Sequence, residues 1–218
     1  LADVRALCID QAGRILIGGR FDSVGGQYRH GLARLSSEGQ LDPTFDPGDG
    51  IDGLHEPMVN VLRVLDSGQM LVGGRFDRIG GVRCAGVARL STEGMVDEKF
   101  DVGTGFTRED GTSGTVHDIA CLADGALVVA GDFESVDGVP MRGLACLALD
   151  GTPRWDVNSA ARTPLLVGAI NVLATQADGA CIAGGRFESA NGVERHALAR
   201  FKASGDLDSG FIPAFAPK

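Results

Sequence analysis

Ile15-Leu16-Ile17-Gly18-Gly19-Arg20-Phe21 decides how this chain is read, because the chain writes it four times. It returns as Met70-Leu71-Val72-Gly73-Gly74-Arg75-Phe76, as Leu127-Val128-Val129-Ala130-Gly131-Asp132-Phe133 and as Cys181-Ile182-Ala183-Gly184-Gly185-Arg186-Phe187. The phenylalanines stand 55, 57 and 54 residues apart. Self-similarity at a fixed period marks a repeat architecture, so the 218 residues form one array of four similar units.

Around that stretch each unit reads as four short strands. The first (Val4-Ile9, Val59-Val64, Val116-Cys121, Ile170-Thr175) has apolar residues at both parities, as in a strand covered on both faces. A glycine turn at Gly13, Gly68, Gly125 or Gly179 leads into the repeated stretch. Its Gly-Gly pair predicts a bulge or a close backbone approach, with four such pairs crowding a common axis. A third strand follows, from Leu32, Val87, Leu144 and Leu198, and then a fourth ending in Phe45, Phe100 and Phe211. Unit three has Val157 in that last slot, with Trp155 two residues earlier.

Four strands per fifty-odd residues without a 3.6-residue period predict an all-β propeller array of four four-stranded antiparallel blades. The expected blades are residues 1–58, 59–115, 116–169 and 170–218. A lone blade cannot bury both of its faces, and radial stacking of neighbours covers them.

Composition narrows the partners. Glycine accounts for 33 residues and hydrophobic residues for 44%, which suits tight turns around a sizeable core. A net charge of −9 argues against nucleic acid and favours a basic or cationic ligand. No apolar run is long enough to span a membrane as a helix. The five cysteines (Cys8, Cys84, Cys121, Cys146, Cys181) occupy five different slots and read as small buried residues, not as a disulfide framework or zinc site.

The recurring phrase V-x-x-L, D/S-G-x-x-L-V-G-G-R-F, G-G, L-A-R-L, E-G-x-x-D-x-x-F resembles the delta-60 repeat, a bacterial propeller repeat of undefined function. Units one, two and four match closely, and unit three departs at Ala130, Asp132, Cys146 and Arg154. The resemblance implies a blade of a large bacterial protein, often secreted or surface-associated, and brings no catalytic residues. Kelch repeats share the length and the Gly-Gly pair, and a kelch-like arrangement is the nearby alternative.

Comparing the units yields a charge pattern. Arg20 and Asp42 are 22 residues apart, as are Arg75 and Asp97, and Arg186 and Asp208. Unit three holds Asp132 and Arg154 in those slots, with the signs exchanged. The exchange predicts an ion pair in every blade between these two slots. The rival pairing gives the aspartates to Arg34, Arg89 and Arg200, a slot that unit three fills with Cys146.

Candidate sites are sparse. Gly48-Asp49-Gly50-Ile51-Asp52-Gly53 satisfies G-x-G-x-x-G but precedes a strand, where a dinucleotide site needs a helix. Asp46, Asp49, Asp52 and Glu56 could offer oxygens to calcium, although their spacing is not that of an EF-hand. Asp22, Asp77, Glu134 and Glu188 each follow the repeated phenylalanine and would ring one rim. The long connections Asp46-Pro57, Asp101-Thr115 and Asn158-Ala169 are expected on that same face.

Four scattered histidines, without a G-x-S-x-G elbow, do not suggest catalysis. The sequence therefore reads as a non-catalytic structural or protein-interaction module of a larger bacterial secreted or surface protein, with no cofactor. A glycan- or calcium-binding propeller is the alternative. The chain starts at Leu1 without an initiator methionine. Its blades would be completed by further blades of a parent chain or by a second copy, unless four close unaided.

Overall fold

The structure is a computed structural model and describes residues 2–154 and 166–213. Its ordered elements there are all strands. They fall into two compact units, Leu1–Asp101 and Val102–Lys218, each holding two blades.

In the first unit, β1 (Asp3–Ile9), β2 (Ile15–Arg20), β3 (Ser23–Val24), β4 (Gln27–Tyr28) and β5 (Leu32–Leu35) build blade one. Blade two is β6 (Ile51–Asp52), β7 (Met58–Val64), β8 (Met70–Arg75), β9 (Arg78–Ile79), β10 (Val82–Arg83) and β11 (Val87–Leu90). In the second unit, β12 (Phe106–Thr107), β13 (Thr115–Cys121), β14 (Leu127–Asp132), β15 (Ser135–Val136), β16 (Val139–Pro140) and β17 (Leu144–Leu147) form blade three. Blade four has β18 (Leu166–Thr175), β19 (Cys181–Ala190), β20 (Val193–Glu194) and β21 (Leu198–Phe201).

The main sheet of each blade is antiparallel, with the second strand between the first and third. The fourth strand contracts to one bridge: Leu35 with Leu41, Leu90 with Val96, Leu147 with Pro153 and Phe201 with Leu207. The aspartate that follows bends the chain in three of the blades. Asp42 Oδ1 accepts the Thr44 amide at 2.9 Å, Asp97 Oδ1 that of Lys99 at 3.1 Å and Asp208 Oδ1 that of Gly210 at 3.0 Å. Side-chain capping of this kind competes with a ladder and makes a turn.

The same register corrects the expected charge pair. Asp42 stands opposite Arg34, donating its amide to the Arg34 carbonyl, and its carboxylate accepts Arg34 Nε at 2.8 Å. Arg89 holds Asp97 at 2.9 Å and Arg200 holds Asp208 at 2.5 Å. Arg20 cannot take that place. Leu16 faces Arg34 across β2 and β5, and Arg20 lies four residues further along β2, about 13 Å away at strand rise.

D-x-x-F also returns its phenylalanine over the arginine. The guanidinium carbons of Arg34, Arg89 and Arg200 sit 5.0, 5.2 and 5.1 Å from the ring centroids of Phe45, Phe100 and Phe211. That is within cation–π range. Trp155, Val157 and the connection from Asn158 through residue 165 lie outside the described residues.

The exchanged signs of unit three are two local compensations, not one swapped pair. Asp132 is met by Arg108 and Arg154 by Asp124, both at 2.5 Å. At the other end of the blades, Arg20 pairs with Glu56 at 2.9 Å, and Arg75 donates to the Glu56 carbonyl at 3.2 Å. Arg186 is exposed on β19.

The second glycine of the pair has its reason inside each blade. All four first strands carry a bulge, between Val4 and Ala6, Val59 and Val61, Val116 and Asp118, and Ile170 and Val172. The bulge drives a carbonyl into the second strand. A Cβ on Gly19, Gly74, Gly131 or Gly185 would lie 2.0–2.1 Å from the carbonyl oxygen of Asp3, Met58, Thr115 or Ala169. The extra residue also shifts the phase of the strand, so that Val59 and Leu62 point the same way.

That shared face packs the blades. In unit one, Val59 and Leu62 of blade two enter a core with Ala6, Leu16 and Leu32 of blade one. In unit two, Ile170 and Leu173 of blade four enter one with Ala120, Val128, Ala130 and Leu144 of blade three. Each such leucine contributes about 1.5–3 kcal/mol on burial.

Candidate functional site

The connections and the hairpins after the second strands make a second tier of small sheets. In blade one β3 pairs with β4. In blade two β6, from the preceding connection, pairs with β9. In blade three β12 does the same with β15. In blade four β18 and β19 run on, so that Leu166 pairs with Ala190. The connections expected to be irregular thus carry a strand belonging to the next blade. The G-x-G-x-x-G run itself contains β6, and the next element is the strand β7 where a dinucleotide site needs a helix.

The acidic candidates of this tier meet different neighbours. Asp22 is exposed, with His30 Nε2 at 3.8 Å. Asp77 Oδ2 accepts the Leu54 amide at 3.3 Å, and Glu134 pairs with Arg142. Glu188 is exposed on β19. Of the four calcium candidates, Asp46 Oδ1 caps the Gly48 amide and Asp52 Oδ1 the Gly53 amide. Asp49 is solvated, and Glu56 serves Arg20 as described above. No three His, Cys, Asp or Glu come together as a metal site among the described residues.

On the opposite, turn-bearing end of unit two lies a cleft of about 430 Å³ between blades three and four. Leu122 and Cys146 line it, together with Asp124, Arg154, Asp178 and Ser204. Its origin lies in differences between the repeats. In unit one, Arg34 fills the corresponding space and donates from Nη1 to the Thr92 carbonyl of blade two at 2.5 Å. In blades three and four those slots hold Cys146 and Ala203. The departure at Cys146 was visible in sequence; that it vacates a space together with Ala203 was not.

Electrostatics separate the groups. Burial pushes the Cys146 thiol up to about 11, against a smaller pull from Arg154, so it stays protonated at neutral pH. Arg154 holds the Asp124 carboxyl below its usual range. Asp42 is opposed in the same way: burial alone would raise it, but bonds from Thr44 and Arg34 prevail and lower it to about 2. An aspartate lower in the fold than in the unfolded chain contributes stability that is complete above about pH 4 and is lost as pH falls through 2. The urea midpoint should therefore drop between pH 5 and pH 2, with Asp42 contributing about 2 kcal/mol. Asp42→Asn, already less stable at pH 6, should show a shallower slope. An unchanged slope would remove Asp42 from the account.

A family model described as a domain of unknown function (DUF5122) β-propeller matches residues 13–45, 66–100, 122–153 and 176–211. Those segments cover more than half of the chain and one lies in each blade. The chain belongs to the DUF5122 β-propeller family. The DUF5122 segments run from the first turn of each blade to the D-x-x-F region, so they contain the Gly-Gly pair and the third-strand slot of Arg34.

No curated protein matches the chain. Among solved structures it is similar to the extracellular domain of BT4673 from B. thetaiotaomicron, at TM-score 0.55 and 11% identity, covering 94% of this chain and 24% of that one. It is also similar to a streptogramin B lyase, at TM-score 0.50 and 13% identity, covering 94% and 53%. The chain thus spans about a quarter and about half of those two proteins. At such identities the likeness concerns the fold alone.

Proposed function

We propose that this chain is a non-catalytic propeller module of the delta-60 type, with a structural or protein-interaction role in a larger bacterial secreted or surface protein. The observation that carries the reading is a bare apolar strand face. Val4, Leu7 and Ile9 of β1 are all more than half exposed, whereas in the same slots of blade two Val59 and Leu62 are buried and Val64 is half-buried. Isolated apolar residues on a surface mean little, but a contiguous row on one sheet face marks an interaction surface. Arg20, Asp132 and Glu134 of the loop tier are engaged within the chain, by Glu56, Arg108 and Arg142.

The cleft between blades three and four favours a second reading, a glycan-binding propeller, because carboxylates, a hydroxyl and a guanidinium rim an apolar floor. A glycan array probed with calcium and again with chelator tests between the two. The interaction-module reading expects no saturable binding in either condition. Binding that is lost in Ser204→Ala or Asp178→Asn would replace it with the glycan reading, and binding lost only in chelator would bring calcium back.

A further inference from the structure

The junction between blades one and two holds an arginine side chain that the junction between blades three and four lacks. Arg34 enters the first junction from β5, 2% exposed, and its guanidinium ends on the Thr92 carbonyl of blade two at 2.5 Å. The counterpart of Arg34 is Cys146 in β17, and that of Thr92 is Ala203. A thiol thus stands where Arg34 has the rest of its side chain, and the cleft of about 430 Å³ opens beside it. Space left by a large-to-small replacement accepts a ligand of the lost shape, and this volume falls within the roughly 300–1,000 Å³ of small-molecule sites.

The groups that remain suit the same shape. Cys146 is buried and Leu122 half-buried, whereas Asp178, Ala203 and Ser204 at the rim are exposed. The floor is uncharged, because the Cys146 thiol stays protonated. At the rim, the Ala203 carbonyl has no hydrogen-bond partner among the described residues, and Asp178 uses only Oδ1, which accepts the Ala180 amide at 3.0 Å. The Ser204 hydroxyl donates to Asp206 at 3.0 Å and keeps its lone pairs. We propose that this cleft binds a small aliphatic monocation, an alkylguanidinium or alkylammonium ion. The alkyl chain lies over Leu122 and Cys146, and the charged head meets the Ala203 carbonyl, the Asp178 carboxylate and the Ser204 hydroxyl. Such a site goes beyond the interaction-module reading and does not depend on it.

The rim sets the sign of the charge. Arg154 stands in the slot of Asp42, but its guanidinium turns to Asp124 at 2.5 Å, and the two cancel. Asp178 is then the one carboxylate of the lining without an ion-pair partner among the described residues. A net charge of −9 on the chain adds to the attraction for a cation. An anion would have to compete with Asp124 for Arg154 and would lie beside Asp178. A neutral ligand of the same shape would forgo the charge-assisted bond to Asp178, about twice as strong as a neutral one.

The probe is n-propylguanidinium, which is the Arg34 side chain from Cβ outward. Titrated into the whole chain and followed by calorimetry, it should bind saturably with a dissociation constant of roughly 1 mM or below. n-Propylammonium should bind as well, and n-propylurea, of the same shape without the charge, roughly tenfold more weakly or worse. Cys146→Met lays an apolar chain into the cleft and should abolish binding. Asp178→Asn keeps the oxygen that caps Ala180, so it should leave the circular dichroism unchanged and weaken binding roughly tenfold. That exposed variant keeps the test decisive if the buried one disturbs the core. The site is overturned by the lack of saturable binding, by equal binding of n-propylurea, by tighter binding of butyrate through Arg154, or by an unchanged affinity in Asp178→Asn. None of those outcomes touches the reading as an interaction module, which falls instead to saturable glycan binding.

Discussion

Replacing Arg34 by alanine should lower the unfolding free energy by about 3–5 kcal/mol, the range for removing one partner of a buried ion pair. Arg34 is nearly inaccessible, and its guanidinium serves four groups at once. Nε meets Asp42 at 2.8 Å, Nη1 the Thr92 carbonyl at 2.5 Å and Nη2 the Thr44 hydroxyl at 3.1 Å, with Phe45 lying across its face. Alanine leaves Asp42 without its cation, uncovers Phe45 and breaks one contact between blades one and two. Arg34→Lys should recover little, because a point charge cannot serve three directions in one plane. The comparison that isolates burial is Arg200→Ala. The same pair and the same ring contact exist there, but solvent reaches the arginine, and the expected loss is about 1 kcal/mol. Equal losses at the two sites in urea denaturation would mean that burial is not what sets the value.

That contrast shows what sequence could and could not reveal. The repeated stretch, its period and the glycine turns were enough to give four all-β blades, because each depends only on local chemistry. The partner of Asp42 depends on register. Arg20 and Arg34 are both arginines at fixed offsets from it, and only the pairing of Leu35 with Leu41 puts Arg34 opposite. The second tier escaped notice for a related reason. Strands of two residues, such as β6 and β9, are too short to carry a period, and their pairing links a connection to the following blade. The cleft required one step more, since Cys146 signals space only once Arg34 is known to fill its counterpart. The acidic slots were legible as a recurring residue type. The neighbours that Asp22, Asp77 and Glu134 meet were not, because each is of a different kind: a histidine, a backbone amide and an arginine.

Gly74→Ala should be about as damaging, at about 3 kcal/mol or more, and for a reason that no repacking can relieve. The new Cβ would stand 2.1 Å from the Met58 carbonyl oxygen and 3.0 Å from the Val59 Cα, and both are backbone atoms fixed by the bulge in β7. Only separation of β7 from β8 makes room, and that breaks the ladder carrying Val59 and Leu62 into the core. The first glycine of the pair behaves differently. A Cβ on Gly18 meets side-chain atoms, Val59 Cγ1 at 2.4 Å and Leu62 Cδ1 at 3.2 Å, and blade three already has Ala130 in this slot, fully buried. Gly18→Ala should thus cost about 1–3 kcal/mol by overpacking. Adding Val59→Ala should reduce the penalty of Gly18→Ala, measured against Val59→Ala alone. The corresponding cycle with Gly74→Ala should show no such relief, since its obstacle is a carbonyl and not a methyl. Relief of equal size at both glycines would mean that side-chain crowding between blades, and not the bulge within each blade, is what keeps the second residue of the pair a glycine in all four copies.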